Sequence, residues 1–140
     1  MAVNLFDAFA TDIESEENGK WFDDVLGDES GLGFKVRRLT AKAVDKTRSK
    51  LMTAARKFIV KGKLPPEKDE ELLCELLAQA VVVDWKGVAN PNKPDEELPF
   101  SVEAATALFK KLPNLRRVIL SVASNMDAFK AETTEEVEGN

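Results

Sequence analysis

Residues able to do covalent or acid–base chemistry are few and scattered. The 140-residue chain has no histidine and no tyrosine, and one cysteine, Cys74. A histidine general base, a His-bearing zinc site and phenol acid–base chemistry are therefore absent. A lone cysteine makes no internal disulfide, and Cys74 falls on an apolar helical stripe, where it reads as a small buried apolar residue. Carboxylates and lysines are plentiful, but no spacing gathers them into a set. Gly31-Leu32-Gly33-Phe34 comes nearest to a phosphate loop. It lacks the full glycine fingerprint and the strand-then-helix context, so it reads as a hairpin turn. These residues point away from an enzyme: no catalytic residue, no cofactor and no metal ligand is expected.

What remains is charge and apolar surface. Residues 35–63 hold eleven Lys or Arg and one acid, Asp45, a local charge of +10. The rest of the chain holds nine basic and twenty-four acidic residues, or −15, which gives the net −5. Arg37-Arg38 and the lysines after them could meet phosphates without sequence preference. Interleaved aromatics for single strands are missing, and no helix-turn-helix or zinc-finger spacing occurs. The bland alternative is a solvated face, or one paired with the acidic remainder of the chain. Trp85 could be an exposed anchor for a partner, or a core residue whose indole donor finds a carbonyl.

Several elements must position these residues. Hydrophobic residues at 44% allow one real core, and charged residues at 32% suit a soluble surface. The first 18 residues are acidic and weakly patterned, without a signal-peptide pattern; Leu5, Phe6 and Phe9 could form one short helical turn that docks, and otherwise the segment reads as a flexible arm. Residues 20–26 and 33–39 read as a small antiparallel hairpin after the Asn18-Gly19 turn signal. A lone hairpin is marginal in water, so it must pack on helices or gain a third strand. Thr40 is the expected N-cap of a helix over 41–61. Leu64 to Val88 then forms the organising stretch. Pro65 and Pro66 suit a first helical turn, and Leu72, Leu73, Leu76, Leu77, Ala80 and Val81 make one broad stripe. The spacing predicts a helix over 65–85, antiparallel to the one before it. Residues 89–98 read as a proline-bearing polar loop. Helices follow over 101–112, with Ser101 as N-cap and Phe100 as staple, and over 114–129. Residues 130–140 read as a disordered acidic tail. The expected fold is α+β, predominantly helical: a small β-hairpin packed on a bundle of about four helices within one domain, 19–129.

The order of motifs goes further than their physics. FKVRRL (34–39) precedes a helical pair that closes on VVVDWKGV (81–88). A proline-bearing loop then leads to LPFSVEAATALFKKLPNLRRVILSVASNMDAF (98–129). Over residues 12–129 this resembles the tail assembly chaperones of long, non-contractile-tailed bacteriophages. The most specific parts are Trp85-Lys86-Gly87-Val88, Pro99-Phe100-Ser101 and Leu112-Pro113-Asn114-Leu115-Arg116.

The resemblance implies a non-enzymatic protein of the host bacterial cytoplasm, absent from the mature virion. It would bind the tape measure protein, keep it soluble and promote assembly of the tail tube around it. A longer frameshifted form would recruit tail tube protein, and a chain with a short acidic tail looks like the shorter form. A helical client suits a helix-in-groove mode. Leftover apolar surface and the basic face give the expected partner-binding residues: Arg37, Arg38, Lys42, Lys46, Trp85, Val88, Phe100 and Phe109. Reversing Arg37 and Arg38 to Glu is expected to weaken tape measure binding. Two competing readings are a nucleic-acid-binding accessory protein using residues 35–63 and a structural tail or head–tail connector subunit. A homo-oligomer is compatible with all three, and no membrane contact is expected.

Overall fold

The computed structural model describes residues 2–131. The expected tail, 130–140, lies mostly outside the described residues. In chain order the elements are α1 (Leu5–Phe9), α2 (Ile13–Asn18), β1 (Lys20–Phe22), β2 (Gly33–Val36), α3 (Lys42–Ala55), α4 (Pro66–Leu76), β3 (Val82–Lys86), β4 (Ala89–Asn90), β5 (Lys93–Glu97), α5 (Val102–Lys111) and α6 (Pro113–Ser124).

A hairpin on a four-helix bundle is not what forms. The hairpin β1–β2 acquires a third antiparallel strand, giving the order β1-β2-β3, and the polar loop folds into a second two-stranded sheet, β4-β5. The third strand comes from the end of the stretch expected to be one helix. α4 stops at Leu76, passes through one π-helical turn, Leu77–Val81, and leaves as β3. The π turn widens the last loop, so that the Val82 amide donates to the Leu77 carbonyl and the chain exits extended. Three consecutive valines, Val81 to Val83, favour the strand from that point on.

A bulge sets the register. Phe34 faces Trp85 and Lys35 faces Asp84, but Val36 faces Val82, so Val83 is the extra residue. Phe34 and Val36 lie two apart and share a face, whereas Trp85 and Val82 lie three apart. Without the extra residue one of the latter would point to the opposite face; with it, all four are buried.

The core lies between the buried face of the three-stranded sheet and the helices, centred on the π turn. Leu77 and Val81 are fully buried there, with Val44 of α3, Cys74 of α4, Phe109 of α5 and Ile119 of α6. Arg116 ties three helices together. Its guanidinium donates to the Phe109 carbonyl at 2.6 Å and to Glu70 Oε1 at 2.7 Å, beside the Cys74 sulfur at 3.6 Å. Ser101 caps α5 by accepting the Ala104 amide at 3.0 Å. α3 starts at Lys42 without a side-chain cap from Thr40 or Ala41; the Glu17 carboxylate accepts the Lys42 amide at 2.8 Å instead. After α3 a 3-10 turn, Arg56–Phe58, replaces the rest of the expected helix.

The first 18 residues hold two short helices, the first of them over Leu5–Phe9. Asp12 caps α2, and the Ser15 hydroxyl and amide that donate to it hold its carboxyl below the usual value. The Asp12 amide donates to the Phe129 carbonyl at 2.8 Å, and Thr11 bridges Lys130. Glu16, 9% exposed, forms an ion pair with Arg38 and accepts the Thr11 hydroxyl at 2.9 Å.

Candidate docking groove

Arg37 and Arg38, expected on a partner-binding face, are spent inside the molecule. Arg37 Nε donates to the Glu17 carbonyl at 2.8 Å and Nη1 to the Ala80 carbonyl at 3.0 Å, so it joins the end of α2 to the π turn. Arg38 holds Glu16, and its amide donates to the Glu16 carbonyl at 3.1 Å. Substituting both by Glu would therefore strike the fold before it struck any binding face. Arg38→Ala should cost about 2 kcal/mol, because a mostly buried carboxylate loses its cation while the residual exposure of the pair softens the penalty. Thermal unfolding of the two single alanine variants and the Glu16→Ala/Arg38→Ala double should show coupling; purely additive losses would reject the pair.

Lys42 and Lys46 are exposed on α3, and with Lys50 they form a row at four-residue spacing. None of the three takes part in an ion pair among the described residues.

The apolar candidates divide. Phe109 is fully buried and Trp85 is 5% exposed. The Trp85 indole donates to the Leu98 carbonyl at 2.7 Å and meets the rings of Phe34 and Phe100 edge-on, at 6.5 and 5.1 Å. Trp85 and Phe109 are thus core, and half-buried Phe100 acts as the lid on Trp85. Only Val88 of the four lines an open groove.

That groove has a volume of about 380 Å³ and lies where three chain segments meet. Leu26, Leu32 and Phe34 come from the β1–β2 connection and β2, Gly87 and Val88 from the β3–β4 turn, and Leu108, Leu112 and Leu115 from the α5–α6 junction. Phe34 is its buried floor; Leu26 and Leu112, 72% and 46% exposed, stand at the rim. Its position follows from local geometry. Pro113 opens α6 and forces the break after Leu112, and Gly87, at φ 73°, turns the chain sharply against Gly31. Sequence spacing found Val88 but missed the leucines, because they lie on three different elements.

Polar chemistry is thin by comparison. Among the described residues no group of three or more His, Cys, Asp or Glu side chains is placed to hold a metal. Nor is any described helix long and apolar enough to cross a membrane. The arrangement offers an apolar recess and a row of lysines on another element.

A family model described as YdaY prophage protein matches residues 39–140. The chain belongs to this prophage protein family. The matched region takes in α3 to α6, β3 to β5, and the Val88, Leu108, Leu112 and Leu115 walls of the groove. Leu26, Leu32 and Phe34, which also line it, precede the matched region. No curated protein and no solved structure matches the chain. Membership in the prophage family ties the chain to bacteriophage biology and assigns it no activity.

Proposed function

We propose that this prophage protein is a tail assembly chaperone. It binds apolar helical faces of the tape measure protein, keeps that protein soluble and promotes assembly of the tail tube around it. The observation that carries this reading is the open apolar groove, built in a phage protein from two of the three motifs on which the resemblance rests. Gly87-Val88 and Leu112 to Leu115 lie far apart in sequence and meet at one surface. A recess lined by branched aliphatic side chains takes the apolar knobs of an amphipathic helix. The polar side chain in its lining, Ser30, is already engaged: its hydroxyl donates to the Gly27 carbonyl and accepts the Leu32 amide. On this reading the protein acts in the host cytoplasm, needs no cofactor, and leaves before the virion is complete. A longer frameshifted product would add contact with tail tube protein.

The exposed row Lys42, Lys46 and Lys50 is the one observation favouring nucleic acid instead. Co-expression with the tape measure protein of the same prophage, followed by size-exclusion chromatography across a salt series, separates the two. A complex that persists at high salt, with the tape measure protein insoluble when made alone, is the expected result. Nucleic acid carried at low salt and shed steeply as salt rises, with no tape measure complex, would replace the chaperone reading. Presence of the protein in purified particles would instead favour a structural subunit.

A further inference from the structure

Two apolar features lack a partner among the described residues. The first is α1. Leu5, Phe6 and Phe9 are 64%, 83% and 63% exposed, and no residue of this helix is buried. Among the described residues its side-chain hydrogen bonds are local: Asn4 Oδ1 accepts the Phe6 and Asp7 amides. A helix this short does not hold itself together in water, so a single turn presenting three large apolar side chains calls for a surface to pack on. The second feature is the groove, a short apolar recess rather than a long channel.

The two are matched in size, character and charge. One helical turn with three apolar knobs suits a recess of about 380 Å³. Residues 1–18 contain no lysine or arginine, and α1 carries Asp7. Exposed Lys111 directly precedes the groove-lining Leu112 and forms no ion pair among the described residues.

They do not meet within one molecule. The chain just after α1 is fixed at the far end of α6, where Thr11 bridges Lys130 and the Asp12 amide bonds the Phe129 carbonyl. The groove lies at the opposite end of α6, at Leu112 and Leu115. A helix of that length spans roughly 18 Å, whereas one helical turn starting from Ala10 reaches only about 7 Å.

We propose that α1 of one copy docks in the groove of a second copy. Phe6 and Phe9 enter between Leu26 and Leu112, with Asp7 toward Lys111. Each contact joins two different surfaces, so every copy both gives an arm and receives one. Exchange between two copies gives a reciprocal pair, and a longer series gives a ring where its rotation closes and a filament where it does not. This inference does not rest on the tape measure reading, because it needs only the arm and the groove of this chain.

Complementary variants test it. Phe6→Asp/Phe9→Asp removes the arm's knobs and leaves the groove intact; Leu112→Asp fouls the groove and leaves the arm intact. Sedimentation velocity over a concentration series should show the unmodified protein self-associating and each variant monomeric. An equimolar mixture of the two variants should form a 1:1 heterodimer, because one sound arm and one sound groove remain. Circular dichroism melts test whether both variants fold, and Leu26→Asp, at another point of the rim, replaces Leu112→Asp if the latter does not. A monomeric unmodified protein, an arm variant that still self-associates, or a mixture that stays monomeric would each overturn the proposal.

Discussion

Replacing Trp85 by alanine should lower the free energy of unfolding by about 3–5 kcal/mol, the range for deleting a large buried aromatic side chain. Two losses combine. The rings of Phe34 and Phe100 lose their edge-on partner and a cavity opens between β2 and the start of α5. The Leu98 carbonyl also loses the indole donor. Trp85→Phe separates the two: it keeps most of the packing, forfeits the hydrogen bond, and should cost about 1–2 kcal/mol. Equilibrium denaturation in urea reads both. A Trp85→Ala midpoint equal to that of the unmodified protein would mean that the side chain is a surface anchor after all. The same residue also fixes the groove at a distance. Leu98, held by the indole, donates its amide to the Val88 carbonyl at 2.7 Å, so the Val88 wall stands where Trp85 places it.

Trp85 also shows how far the sequence could be read. Its two readings, exposed anchor or core, were both weighed for a residue at the end of a helix, whereas it lies on strand β3. The stripe of paired apolar residues from Leu72 to Val81 is a sound helical signal, and no glycine or proline interrupts it before Gly87. A π turn leaves no mark in such a pattern, so the helix was expected to run on to Trp85. Only the β-branched Val81-Val82-Val83 hinted at the change. The bulge at Val83 erased the alternation that would have marked a strand. The need of the β1–β2 hairpin for a third strand was legible; where that strand would come from was not.

Charge misled in a different way. Arg37-Arg38 follow a short strand and open a basic segment, which reads as surface. Both instead turn back onto α2, whose acidic residues read as a solvated arm. The pairing of Glu16 with Arg38 joins positions 22 residues apart across a loop-rich region. Local periodicity carries no information about such a contact. The partition of charge along the chain was real, but its use is between α2 and the segment from Arg37 to Lys42, where Glu17 also caps α3. No ion pair joins α3 to α4 among the described residues. The groove was half legible. Val88 and the Leu112-Pro113 break could be singled out, but their meeting with Leu26 and Leu32 depends on the register of β2 against β3.

Gly87→Ala should be the second most damaging single change, costing about 3 kcal/mol from a positive φ imposed on an L-residue together with a steric clash. Gly87 has φ 73°, and a methyl added there would fall onto the carbonyl of Gly31, with the Leu32 Cα at 3.1 Å. These neighbours are backbone, so no side chain can rotate away. The two loops must part, and they are the loops that form one side of the groove. Gly62→Ala is the matched control. Gly62 has φ 79°, but a methyl there meets nothing within 4 Å, so only the conformational term of about 1 kcal/mol should appear. Thermal melts of the two variants separate clash from conformation: equal shifts would mean that Gly31 and Gly87 are not in contact. The expected result links stability to the surface. Gly87→Ala should weaken whatever the groove holds, arm or client, and Gly62→Ala, away from the groove, should leave that binding unchanged.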